Sequence, residues 1–222
     1  MKSSLKIYFL IFLFVIFSTF HTKYNKESIS FFFPVKKILV ENNVATDLFE
    51  LKSNLNFLLN TSLFFLNREE ISKVIRKHNF ILNIQLKKKY PSTLKIVIIE
   101  KVPVVIQISG EKKFYITKKN EKIKFIDLQI YDHLPLVFGK YKNFDIFYNA
   151  LEKNNFKINE IKSFYYFDVG RWDIVLKNEK VIKLPEKNYL NLLPKISSII
   201  NDDSFSKFIV FDFRIEDQLI LK

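Results

Sequence analysis

Apolar positions in this chain recur in three rhythms. A continuous run, Ile7 to Phe17, opens it. Between residues 47 and 75 the apolar side chains fall three and four apart: Leu48, Leu51, Leu55, Leu58 and Leu59, then Ile71, Val74 and Ile75. That is the spacing of one helix face. Asn67 precedes Arg68-Glu69-Glu70, which predicts a helix capped by Asn67 and running to about His78. From residue 80 the period shortens to two. Leu82, Ile84 and Leu86 share one face, as do Leu94, Ile96 and Ile98, so two strands are predicted with Pro91 in the turn between them. A strand over residues 33–40, with Ile38 and Val40 on one face, precedes the helices, and Glu41-Asn42-Asn43 ends it. Strand, helix, helix, strand, strand predicts two helices on one face of a three-stranded sheet.

Beyond residue 103 the pattern is mostly that of strands. They are expected at 104–108, 114–117, 123–126, 161–167, 173–176, 181–184, 208–213 and 218–221, interrupted by helices near 145–154 and 187–200. Pro103 cannot donate to a ladder and holds Val102 extended, so the chain leaves the first layer in a defined direction. The segment near Gln107–Lys113 reads as a seam. The fold class is α+β: an N-terminal transmembrane helix, a β-α-α-β-β layer, then a mostly antiparallel β domain with two helices.

Composition refines this picture. The chain has 222 residues, 48% hydrophobic and 27% charged, a globular balance. Lys2 and Lys6 precede the apolar run. Counted from Leu5 to Phe20 with Lys6 snorkelling, it is just long enough to span a bilayer. A cleaved signal peptide has a similar shape, but Ser18-Thr19-Phe20-His21-Thr22 is a poor cleavage site. The segment reads as an uncleaved anchor, N-terminus inside and the bulk of the chain exported. The net charge of +13 is spread along the sequence and reads as a solvated basic surface. No nucleic-acid motif accompanies it. There is no cysteine, the three glycines (Gly110, Gly139, Gly170) cannot form a phosphate loop, and His21, His78 and His133 are scattered. Hence no disulfide, no usual zinc site, no cofactor and no nucleotide cradle are expected.

No catalytic constellation emerges. Asp173, Glu186, Asp212 and Asp217 could supply a carboxylate pair but read as solvated strand-end groups. Trp172 reads as a core aromatic beside a surface Arg171, Asp212-Phe213-Arg214 as internal pairing, and Glu100-Lys101 as a surface pair.

"YPSTLKIVIIEKVPVV", residues 90–105, resembles the end of the POTRA domain of the bacterial cell-division FtsQ/DivIB family, with Tyr90 where that family usually has Trp. Other marks follow in order. "FPVKKILVENN" resembles the opening POTRA strand, with Asn42-Asn43 in place of a glycine. "FYITKKNEKI" resembles a hairpin with Asn120 in place of glycine. "LPLVFG" (Leu134–Gly139), "GRWDIVLKNEKVIKLPE" and "FIVFDFRIEDQLIL" resemble elements of the β domain. The resemblance implies a short cytoplasmic tail (1–6), a transmembrane anchor (7–22), a POTRA domain (31–103) and an FtsQ-type β domain (104–222). It also implies a non-enzymatic inner-membrane scaffold at the division septum. Its terminal edge, Arg214, Ile215, Glu216, Asp217, Gln218, Leu219 and Ile220, would bind FtsB, and with it FtsL, by strand addition. Other divisome proteins would meet the POTRA and transmembrane segments. The alternative is a secreted or anchored POTRA-containing export or interaction protein.

Overall fold

The computed structural model describes residues 2–19 and 32–222. Helix α1 spans Lys2–Thr19. Among the described residues no helix is long and apolar enough to cross a membrane. Residues 20–22 of the expected anchor, residue 1 of the tail and residue 31 of the expected POTRA domain lie outside the described residues. The chain falls into two compact units. One holds residues 48–75 and 84–98 with the N-terminal segment up to Asn42. The other holds 43–47, 76–83 and 99–222.

The three-stranded sheet has β1 (Lys37–Glu41), β2 (Ile81–Lys89) and β3 (Thr93–Glu100) in the order β1-β3-β2, with β1 parallel to β3. A parallel neighbour needs a crossover, and α2 (Leu48–Asn54) and α3 (Arg68–Ile75) lie within it. Asn67 caps α3 as the sequence suggests: its Oδ1 accepts from the N–H groups of Glu69 and Glu70 at 2.9 and 3.4 Å. Leu51, Leu55, Leu58, Ile71 and Ile75 are buried, as are Leu94, Ile96 and Ile98. On β2 the expected alternation fails. Ile81 and Ile84 are both buried, and Leu82 is 55% exposed. Two buried residues three apart cannot share a face of a regular strand, so the apolar phase slips between them.

The nine-stranded sheet has the order β12-β11-β10-β9-β8-β7-β4-β5-β6. Its strands are β4 (Pro103–Ser109), β5 (Lys112–Thr117), β6 (Lys122–Lys124), β7 (Leu136–Phe138), β8 (Ile161–Phe167), β9 (Arg171–Leu176), β10 (Val181–Lys183), β11 (Val210–Asp212) and β12 (Ile220–Leu221). Five neighbouring pairs are antiparallel and three are parallel: β4 with β7, β7 with β8, and β10 with β11. The two helices are therefore crossovers. α4 (Phe144–Lys153) joins β7 to β8, and α5 (Tyr189–Ile200) joins β10 to β11. They supply Phe147, Leu151, Leu193 and Ile196 to a core closed by Phe164, Trp172, Ile174 and Phe211 of the sheet. The stretch around 107–113, read as a seam, is the β4–β5 hairpin inside this sheet, turning at Gly110.

Two local devices hold the architecture. In this glycine-poor chain asparagine takes over the left-handed turn positions. Asn42 and Asn120, where the resembling pattern has glycine, adopt φ of 62° and 61°, which asparagine tolerates best among residues with a side chain. Glu100 is not a surface pair with Lys101. Its carboxylate accepts three backbone N–H groups, from Val44, Ala45 and Thr46, at 3.1, 2.8 and 2.8 Å. Lys101 reaches Glu121 instead, at 3.5 Å. Three otherwise unpaired amides converge on one anion, which fixes the 44–46 turn.

Candidate functional site: the terminal sheet edge

Among the described residues strand β12 is the outermost strand of the nine-stranded sheet and pairs only with β11, through Phe211↔Leu221 and Asp212↔Ile220. Val210 and Lys222 exchange both backbone hydrogen bonds, Val210 N–H to Lys222 C=O at 3.0 Å and Lys222 N–H to Val210 C=O at 3.2 Å. In an antiparallel ladder bonded and non-bonded pairs alternate. The bonded pairs are thus 210↔222 and 212↔220, and 211↔221 is non-bonded. Leu221 therefore turns its N–H and C=O away from β11, to the open side. That is the group pair an added strand would meet.

The seven residues read from the sequence as a partner-binding strand are mostly a loop. Only Ile220 lies in β12. Gln218 donates to Ile215 C=O at 3.2 Å, closing a turn in which Asp217 has φ 56°. Arg214 is clamped to Asp212: its Nε lies 2.8 and 3.0 Å from the two carboxylate oxygens and its Nη2 2.6 Å from Oδ2. These bonds hold the Asp212 carboxyl below its usual range, against the opposing effect of burial. Leu219 packs on the main core, while Ile215 stands 51% exposed. Arg214 to Leu219 form one wall of a groove of about 530 Å³. The other wall was not anticipated. It comes from Pro185–Asn188 and the side of α5 bearing Asn191, Leu192 and Lys195. The signal for it was present, because Asn188, Leu192 and Lys195 repeat at helical spacing one position out of phase with the buried Leu193 and Ile196.

A transverse row crosses the sheet on the face opposite the helices. Phe138, Tyr165, Asp173, Lys183, Asp212 and Ile220 are successive register partners from β7 to β12. The Phe138 and Tyr165 rings stack at 4.8 Å. Asp173 is buried beside them, and burial raises its pKa, partly offset by Arg171, Lys183 and Arg214. Arg171 Nε approaches its Oδ1 to 3.2 Å without an aligned hydrogen bond. Trp172, on the other face, is 1% exposed and stacks on Phe147 at 4.5 Å. Of the four candidate carboxylates, Asp212 is held by Arg214, Asp173 lies by Arg171, and Glu186 and Asp217 line the groove. Among the described residues no group of three or more His, Asp or Glu could hold a metal ion.

Comparison with known proteins bears on this geometry. The family model described as "POTRA domain, FtsQ-type" matches residues 33–101. A cell division protein FtsQ of Rickettsia typhi is 28% identical over 169 residues, covering 75% of this chain and 63% of the relative. That of Rickettsia prowazekii is 27% identical over 179 residues, 77% of this chain and 67% of the relative. That of Rhizobium meliloti is 24% identical over 190 residues, 84% of this chain and 62% of the relative. The match thus spans less than two thirds of the length of the first of these.

Proposed function

This chain belongs to the FtsQ family of cell division proteins, and from that premise we propose that it is a non-enzymatic divisome scaffold. In this reading α1 is a single-pass inner-membrane anchor, with the N-terminus cytoplasmic and residues beyond it periplasmic, at the division septum. α1 has 18 residues and rises about 27 Å. A hydrocarbon core is about 30 Å thick. The first turns of α1 hold Lys2 and Lys6, so the anchor needs these lysines to snorkel to the headgroups and the bilayer to thin around the shorter apolar run. The domain reading, a POTRA domain over 31–103 followed by the β domain, accords with the matched residues 33–101.

The terminal edge takes the partner. A strand of FtsB, in complex with FtsL, adds to β12, and its flanking residues enter the groove between α5 and the 213–219 loop. The observation that carries this is the outward N–H and C=O of Leu221 beside an open groove. Main-chain pairing supplies affinity, and groove side chains supply selectivity. Two substitutions test it in the full chain, against the exported segments of FtsB and FtsL from the same organism. Leu221→Pro removes the outward donor and spares both bonded pairs with β11. Ile215→Glu places a charge on the groove wall. Both variants are expected to lose capture while retaining the wild-type circular dichroism spectrum. Undiminished capture by folded Leu221→Pro protein would remove β12 as the docking edge.

A further inference from the structure

A second surface carries chemistry that the terminal edge does not use. Five aromatic residues of the first unit stand exposed together: Phe32, Phe33, Phe64, Phe65 and Tyr90, at 68, 45, 63, 60 and 52%. Hydrogen bonds and ring contacts tie them into one patch. Leu63 N–H donates to Phe33 C=O at 2.9 Å, and Ser62 Oγ donates to Phe32 C=O at 2.7 Å. The Phe33 and Tyr90 rings meet edge-on at 4.9 Å, and those of Phe64 and Phe65 at 5.1 Å. Lys88 Nζ donates to Phe64 C=O at 3.1 Å, joining the β2–β3 turn to the 62–65 loop. Phe33 adopts φ 55°, a conformation rarely taken by an aromatic residue.

The segments that build the patch carry only positive charge, and the nearby acidic Glu41 is paired with Lys95 at 2.6 Å. The segments 32–37, 57–66 and 86–93 contain Lys36, Lys37, Lys87, Lys88 and Lys89 and no acidic residue. Lys36 and Lys37 are tied to the β2–β3 turn through N–H bonds to Ser92 C=O at 2.8 and 3.2 Å. Exposed rings are costly in water, and lysines beside rings are the composition of a membrane-interface belt, where rings sit at headgroup level and ammonium groups meet lipid phosphate. The patch is also within reach of a bilayer. From Thr19, where α1 ends, to Phe32 the chain takes 13 residue-to-residue steps, which extend at most about 45 Å.

We propose that this aromatic–lysine patch docks on the anionic lipid surface of the membrane that holds α1. The inference rests on the reading of α1 as an anchor. It makes the membrane face a determinant of how the first unit is presented, with contact weakened by salt and by loss of anionic lipid.

The chain has no cysteine, so single labels are available. Phe65→Cys and, as reference, Lys153→Cys in the second unit are each labelled with an environment-sensitive fluorophore. The full chain is reconstituted into vesicles of phosphatidylcholine alone or with about 30% phosphatidylglycerol, each carrying headgroup-quencher lipid. Protease protection reports insertion. The expected result is strong quenching at position 65 in the anionic vesicles only, none at 153, and a fall to the zwitterionic level when Lys87, Lys88 and Lys89 are all changed to Gln. Inserted protein with no quenching at 65, or with equal quenching at 65 and 153, overturns the proposal and leaves the anchor standing. A chain that does not insert in either vesicle sinks the anchor reading and this inference with it. Quenching that survives the triple Lys→Gln change overturns the role given to charge.

Discussion

The two edges of the nine-stranded sheet are defended differently. At one end β6 is Lys122-Ile123-Lys124, with its single apolar residue buried and its lysines exposed. Lys122 lies over the Phe114 ring, 5.4 Å from its centroid. Short length and flanking lysine are the usual means of keeping an edge from pairing. At the other end β12 is Ile220-Leu221, shorter still and apolar, and the loop that leads into it lines a groove. Lysine flanks β12 on one side only, at Lys222, and an apolar edge beside a cleft is where a partner is expected. The contrast supports β12 as the docking edge and β6 as a closed one.

Changes to the sheet's body, to either edge and to the charges beside them should therefore separate cleanly. The largest effect is expected at Gly139, directly after β7. It has φ 100°, and a Cβ there would sit 2.1 Å from Tyr166 C=O. Gly139→Ala must break the β7–β8 register that both edges depend on, and a loss of about 3–5 kcal/mol is expected in denaturant unfolding. Next is Glu100→Ala, which strips the acceptor from three amides. A loss of about 2–3 kcal/mol is expected, with no effect on partner capture by the protein that remains folded. Lys122→Val with Lys124→Val should leave monomer stability within about 0.5 kcal/mol while opening the guarded edge. Concentration-dependent association in sedimentation velocity is the readout, and a strictly monomeric variant would show that lysine is not what closes β6.

The smallest effect concerns the row beside β12. The Asp212 pKa is lowered in the folded chain by the Arg214 bonds. Its contribution is therefore present above its unfolded value and is lost as pH falls through the lower folded value. Asp173 is raised, chiefly by burial. It opposes stability above its unfolded pKa, and the penalty is relieved as pH falls below its raised folded value. Asp212→Asn should thus cost under about 1 kcal/mol at neutral pH and nothing in strong acid, whereas Asp173→Asn should stabilise the protein at neutral pH. Urea unfolding at pH 7 and pH 3 distinguishes the two signs.

Local chemistry was legible in the sequence wherever it is carried by neighbours. The Asn67 cap, the β3 face of Leu94, Ile96 and Ile98, and the burial of Trp172 follow from spacing and residue type, and the turn positions of Asn42 and Asn120 from the resemblance that sets them where glycine is usual. What was not legible depends on distant pairing. β7 is three residues long, with only Val137 fully buried, between two parallel neighbours, so its alternation is too short to detect. The Glu100 clamp joins residues more than 50 positions apart, and nothing in Glu-Lys-Val-Pro announces it. The segment 214–220 reads in sequence as one strand, yet it folds as a turn at Ile215–Gln218 followed by Ile220 in β12, and its place beside α5 depends on the parallel pairing of β10 with β11.

The most direct test is residue-resolved hydrogen exchange at the two edges of the full chain, with and without the exported segments of FtsB and FtsL. The Leu221 amide is expected to exchange freely alone and to become protected when partner is added, with the amides of Lys122–Lys124 unchanged. Protection that appears along β6, or a Leu221 amide that still exchanges freely in the bound complex, would contradict the assignment of β12 as the edge that receives the partner strand.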